Sequence, residues 1–222
     1  MTRFRQGVLM IAFGGFKQVK RLLCLGAHSD DIEIGAGATV LRIVRENPDV
    51  EVSWCVLSGN ETRQEEARRG ADQLIGPRAG RSIILKDFSD SRFPEHRAKL
   101  KEFFEERLKS IDPDLILTHA RFDAHQDHRM VNELTWNTFR AHQIWEYEIP
   151  KWDGDLTQPN LFVPLDPDDV AAKIAVLRDV FSSQRNKHWF DEETFRGLMR
   201  IRGLESNTRY AEAFFARKFV VA

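Results

Sequence analysis

A chain of 222 residues has room for one domain with a substantial core and little for a second. Its composition, 42% hydrophobic and 30% charged, excludes disordered and fibrous classes, and a formal net charge of -1 gives no footing for a polyanion, so no nucleic-acid partner is expected. No stretch approaches the roughly 20 apolar residues of a membrane-spanning helix, so no transmembrane segment is expected.

Residues 1–20 read as an extension ahead of the first strand. Arg3 and Arg5 precede a short apolar stretch, which Gly14 and Gly15 interrupt and which lacks a small-residue cleavage site. A cytoplasmic protein is therefore expected. Residues 21–26 are a short apolar run closing in glycine, the pattern of a buried strand. Residues 34–46 are helical in character, opened by Gly35, Ala36, Gly37 and Ala38. That spacing is not a dinucleotide fingerprint, and the two acids before it would repel a pyrophosphate; small residues packing a helix on a sheet explain it better. Residues 51–57 form a second strand, and Cys24 and Cys55 fall inside the two strands as buried thiols. Asn60 caps a helix carrying Ala67, Ala71 and Leu74 on one face and closed by Gly76 and Pro77. Residues 82–85 give a third strand. Pro94 opens a helix with Leu100, Phe103, Phe104, Leu108 and Ile111 on one side. Residues 115–118 are a fourth strand and 128–139 a fourth helix.

Repeated strand–helix units predict an α/β fold, Rossmann-like, with a mainly parallel sheet and helices on both faces. A 3-2-1-4-5 strand order would make the first and fourth strands neighbours. From residue 143 the pattern changes into a C-terminal elaboration of the same single domain. It comprises an extended segment (144–149), a loop (151–159), a helix opened by Asp166 and Pro167 and running to Phe181, a helix over 191–202 and a closing strand over 213–221.

The chemistry gathers after two of these strands, in His28-Ser29-Asp30-Asp31 and His125-Gln126-Asp127-His128. In an open parallel sheet ligands bind beyond the carboxyl ends of strands where the strand order reverses, so the two clusters should converge. His28, Asp31 and His128 supply the three protein ligands of a catalytic Zn²⁺ site, and another divalent ion such as Fe²⁺ satisfies the same donors. Asp30 remains to take a proton from the bound water. His125 is placed to act as acid or oxyanion partner, and Asp127 to orient His125 through a ring nitrogen.

The same residues resemble a family. His28-Ser29-Asp30-Asp31-Ile32-Glu33, followed by Gly35 and Gly37, is similar to the first signature of the LmbE/PIG-L-like N-acetylglucosaminyl deacetylases, and His125-Gln126-Asp127-His128 to its second metal motif. The likeness runs from about Leu22 to Phe139. It implies a Rossmann-like fold, Zn²⁺-dependent removal of an acetyl group from an N-acetylglucosamine moiety, and the roles just given. Ser29 and Gln126 stand where the family usually has proline, and Asp123 where some members have tyrosine. Arg63 and Glu66 match an Arg-x-x-Glu pattern near the sugar, and Asp90 a position facing it, so all three are expected to bind substrate. The substrate expected is a small-molecule amino sugar, and self-association into a homo-oligomer is left open. Trp152 is the tryptophan best placed in a loop to stack on a sugar ring.

Three other readings compete. An amidase acting on a larger amide, such as a thiol conjugate, would use the same site. A non-haem Fe(II) oxygenase shares the two-histidine, one-carboxylate set but generally sits on a jelly roll. A binding module for a sugar nucleotide has no need of Asp30 beside a metal.

Overall fold

A computed structural model describes residues 15–77 and 80–220. The extension expected over 1–20 lies outside these up to residue 14; its last part is a single turn, Phe16–Gln18, that lays Phe16 on the core.

The first half alternates as the hydrophobic pattern predicts: β1 (Arg21–Gly26), α1 (Asp31–Glu46), β2 (Glu51–Val56), α2 (Glu61–Ile75), β3 (Arg81–Leu85), α3 (Arg97–Phe103), β4 (Leu115–His119) and α4 (Gln126–Thr138). The second half adds β5 (Gln143–Tyr147), β6 (Leu161–Pro164), α5 (Pro167–Val180), α6 (Glu192–Glu205) and β7 (Ala211–Ala216). The strands form one sheet in the order β3-β2-β1-β4-β5-β7-β6. β3 to β5 are parallel neighbours, while β7 runs antiparallel to both β5 and β6.

Alternate strand residues feed two cores. Leu22, Cys24, Trp54 and Val56 pack with α1, α2 and α5 on one face. Leu23, Leu25, Cys55 and Leu57 pack with α3 and α4 on the other. The two cysteines therefore sit on opposite faces of adjacent strands, both fully buried, and burial raises both thiols, that of Cys55 to about 12.

Asn60 caps α2 by accepting from the Arg63 N–H at 3.0 Å, and Gly76 ends the helix with φ +63°, a conformation that suits glycine. Gly35 has a packing reason: a Cβ there would lie 2.2 Å from the Tyr147 ring, so α1 can rest on β5 only through a bare backbone.

Two expectations need correction. The helix after Pro94 is not one α-helix: Phe93–His96 is a 3-10 turn, and α3 continues as a π-helical stretch, Phe104–Leu108, and a 3-10 turn, Lys109–Ile111. Leu100, Phe104 and Leu108 recur every four residues, a spacing that drifts about 40° per step around an α-helix. The wider turn keeps all three in the core. The short edge strand β6 falls in residues 160–165, which carry no expected element. The closing strand is Ala211–Ala216 rather than 213–221; Phe219 and Val220 are exposed beyond it.

Candidate metal centre

Parallel pairing of β1 with β4 brings their carboxyl ends together, so the segment from Ala27 to Asp31 faces the segment from Ala120 to His128. The strand order reverses between β1 and β4, with β2 on one side and β5 on the other, and this is the crevice where open α/β sheets place ligands.

His28 Nδ1 lies 3.1 Å from His128 Nε2. Asp31 Oδ2 is 3.4 Å from the first of these nitrogens and Asp31 Oδ1 is 3.5 Å from the second. Ligands about 2.0–2.2 Å from one tetrahedral ion are separated by roughly 3.3–3.6 Å, so the donors already stand at nearly the spacing a shared cation requires. Other sets overlap this one, including Asp31-His119-His128, His28-His125-His128 and His28-Asp90-Asp127. Their extra members have other work. His119 Nε2 accepts the Ala27 N–H at 2.9 Å, and His125 Nδ1 accepts the Asp127 N–H at 3.2 Å, so neither of those lone pairs is open to a metal. Asp127 accepts the N–H groups of Ser91 at 2.7 Å and Phe93 at 3.0 Å.

Each candidate imidazole ligand is held from behind by a carboxylate. His128 Nδ1 meets Asp123 Oδ2 at 2.8 Å, and His28 Nε2 meets Asp127 Oδ2 at 3.3 Å and Asp90 Oδ1 at 3.1 Å. A carboxylate on the far nitrogen fixes the ring and leaves the near nitrogen as a lone-pair donor, the usual support of a ligating histidine. This changes the part expected of Asp127. Its backbone N–H, not its carboxylate, contacts His125; the first turn of α4 directs the carboxylate to His28 and to the loop after β3.

Charge within the cluster favours a cation. Burial opposes the charged form of His28, but Asp31, Asp127 and Asp90 outweigh it and hold the imidazole well above its ordinary range. Burial likewise opposes the charge of Asp31, yet His128, His119 and His28 hold it well below the carboxylate range. His128 is pushed down to about 4 by burial and by His119, whose ring stacks on it at 3.9 Å, and so is neutral at pH 7. Without a metal, then, the positive charge that the acids demand is a proton on His28. Zn²⁺ binding at pH 7 should release about one proton, and affinity should weaken as pH falls and that proton becomes harder to displace. Calorimetric titration in two buffers of different ionisation enthalpy reads this directly; a proton count of zero would contradict it.

Asp30 does not cap α1, although it occupies the cap position. Its carboxylate is nearly buried, and Oδ1 pairs with Arg63 Nη2 at 2.6 Å. Arg63 also donates to Ser183 Oγ at 3.1 Å and approaches Glu66 Oε2 at 3.4 Å. Glu66, expected to bind substrate, is instead buried and occupied: it accepts from Ser183 N at 2.9 Å, Ser183 Oγ at 2.6 Å and Ser182 Oγ at 3.2 Å. It anchors the turn after α5 to α2, leaving no free oxygen for a sugar. Asp90, by contrast, is 70% exposed beside His28, within reach of a ligand.

The ring of His125 lies 4.8 Å from that of His28 and 4.6 Å from that of His128, centroid to centroid. Burial and the neighbouring His28 lower its pKa, so it is neutral at pH 7, and with Nδ1 accepting its proton is on Nε2.

Two supporting residues were not assigned by motif. Asp123 gains its role from the loop that returns its carboxylate to His128, and Lys151 Nζ stands 3.1 Å from Asp123 Oδ1. An acid five residues before a candidate ligand histidine was the only local signal. Asparagine at Asp123 or Asp127 should weaken metal affinity about 10–100-fold while leaving stoichiometry at one ion, as measured by competition with a chelating dye.

Fold and site together define an α/β protein with an imidazole–carboxylate cluster suited to a divalent metal at the sheet's switch point. Residues 23–139 match the PIG-L family of GlcNAc-PI de-N-acetylases, and the chain belongs to that family. It is 27% identical over 172 residues to YaiS, an uncharacterized deacetylase of Escherichia coli, a match covering 72% of this chain and 89% of that protein. Its fold is similar to that of N,N'-diacetylchitobiose deacetylase from Pyrococcus horikoshii, with a TM-score of 0.66 and 21% identity over 90% of this chain and 85% of that one. It is equally similar to that of 4-carboxy-2-hydroxymuconate hydratase from Pseudomonas putida, with a TM-score of 0.68 and 18% identity over 91% of this chain and 98% of that one. One fold thus carries two reactions, and the choice between them rests on site chemistry. Among the described residues no helix is long and apolar enough to cross a membrane.

Proposed function

We propose that this protein is a zinc-dependent hydrolase that removes the acetyl group from an N-acetylglucosamine-type amino sugar. The observation that carries the reading is the pair of imidazoles, His28 and His128, 3.1 Å apart, each backed by a carboxylate and facing Asp31 at 3.4 and 3.5 Å, with the separate acid Asp30 next to Asp31 in the chain. Family membership and the deacetylase relatives support the substrate class.

Held by His28, Asp31 and His128, the ion would supply a Lewis acid and an acidified water. The chain's own residues do the rest. Asp30 accepts a proton from water as the new C–O bond forms, and returns it to nitrogen as the C–N bond breaks. The products are acetate and the free amine. Arg63 keeps Asp30 aimed through the ion pair on Oδ1. His125, neutral and protonated on Nε2, donates to the oxygen that gains negative charge in the tetrahedral transition state. Asp90, exposed on the rim, accepts from sugar hydroxyls.

The test is acetate release from N-acetylglucosamine and N,N'-diacetylchitobiose by protein reconstituted with Zn²⁺. Stoichiometric acetate and free amine are expected. Cleavage of a thiol-conjugate amide with no acetate released from either sugar would indicate the wider amidase, and water addition to an enol or alkene substrate without acetate would indicate a hydratase.

A further inference from the structure

We propose that Trp152 and His188 form a second ring-binding subsite, which takes the pyranose attached to the acetylated sugar. This deepens the deacetylase reading and rests on it for the substrate class.

Trp152 is 67% exposed, whereas Trp54 is fully buried. A large aromatic face left mostly in water is informative, because much of its apolar area stays open to a ligand. Its ring lies 5.1 Å from that of His188, at 46°, so two aromatic edges from distant segments meet at the surface.

Each segment is tied to the candidate centre from a different side. Lys151, the residue before Trp152, binds Asp123, whose other oxygen holds His128. The loop is fixed further by Asp155, which accepts from Lys151 Nζ at 2.5 Å and from the Ala124 N–H at 2.6 Å. His188 follows the turn at Ser182–Gln184, where Ser183 binds Arg63, the partner of Asp30. Arg63 belongs to the unit after β2 and Lys151 to the one after β5, and between those strands lie β1 and β4, which carry the metal-ligand motifs. The contact between Trp152 and His188 therefore closes a ring of interactions around the crevice. Both of its arms are anchored, so the aromatic faces are preorganised.

The chemistry suits a sugar. The axial C–H face of a pyranose lies flat on an indole, and an imidazole at its edge can donate to or accept from a hydroxyl. Trp152 meets His188 rather than any candidate ligand, so the ring assigned to it is the one attached to the acetylated sugar. Preference for a disaccharide or longer glycoside over a single N-acetylated sugar follows.

The experiment compares kcat/KM for N,N'-diacetylchitobiose with that for N-acetylglucosamine in wild type, Trp152→Ala, Trp152→Phe and His188→Ala, all metal-loaded and checked for equal thermal midpoints. The ratio should fall about three- to tenfold in Trp152→Ala through KM, partly in His188→Ala, and little in Trp152→Phe, which keeps an aromatic face. An unchanged ratio in Trp152→Ala would overturn the subsite while leaving the deacetylase reading intact. Intrinsic fluorescence titrated with chitobiose provides a readout without turnover. If wild type cleaves neither sugar yet chitobiose shifts its emission, and Trp152→Ala abolishes that shift, the subsite stands and the deacetylase reading falls. No shift in wild type and no turnover overturns both.

Discussion

Asparagine in place of Asp30 should leave one divalent ion bound and lower kcat about 10²–10⁴-fold, equivalent to roughly 3–5 kcal/mol of transition-state stabilisation. The substitution is nearly isosteric, and an amide oxygen can still accept from Arg63, whose Nη2 sits 2.6 Å from Oδ1. What disappears is the ability to hold a proton between water and the leaving nitrogen. Because Asp30 is not among the candidate ligands, metal content should stay at wild-type stoichiometry while turnover collapses. Metal analysis and initial rates on one preparation check both. Full activity in Asp30→Asn would remove it as the base; lost metal would make it a ligand instead.

The second large effect concerns the ligands. Asp31→Asn and His128→Ala should each weaken Zn²⁺ binding by on the order of 10³-fold or more and abolish measurable turnover, since a three-ligand site that loses one donor loses a large share of its binding free energy. The two variants should differ in the metal-free state. His128 is buried against His119, so alanine there opens a cavity and leaves Asp123 Oδ2 without its imidazole, while Oδ1 keeps the His125 N–H and Lys151. Asp31→Asn keeps the volume and removes only charge. Metal-free His128→Ala should therefore unfold at a lower temperature than metal-free Asp31→Asn, with both unable to retain zinc through a desalting column. Retention of stoichiometric zinc by either would rule out its proposed role.

The strand–helix alternation of the first half was legible because it depends on short-range pattern; the order of the strands in space was not, and 3-2-1-4-5 entered only as the arrangement under which the two motifs would meet. Buried parallel strands read as continuous apolar runs, and both motifs follow directly on a strand, so sheet topology alone brings them together. The pairing partners were not legible, since they are set by loops. Nothing local couples Asp30 to Arg63, or Asp127 to His28, 33 and 99 residues away. Glu66 shows the same limit from the other side. Its place beside Arg63 is helical geometry, but the serines that occupy it arrive from the end of α5. The second half was harder for a different reason. β7 inserts between β5 and β6 and runs antiparallel to both, so the strand–helix repeat of the first half no longer applies, and Glu212 on it is buried against α1, accepting from Ala38 and Thr39 N–H groups and paired with Lys173 at 2.7 Å. A buried charged residue in a strand is opaque to hydrophobic periodicity.

The central claim is that His28, Asp31 and His128 hold one catalytic divalent ion. Anomalous diffraction at the zinc edge, from crystals of protein loaded with one equivalent of Zn²⁺, tests it most directly. The account predicts a single peak bounded by His28 Nδ1, Asp31 and His128 Nε2, with His119 outside the coordination sphere. A peak between His28, Asp90 and Asp127, or no ordered peak in the crevice at all, would contradict it.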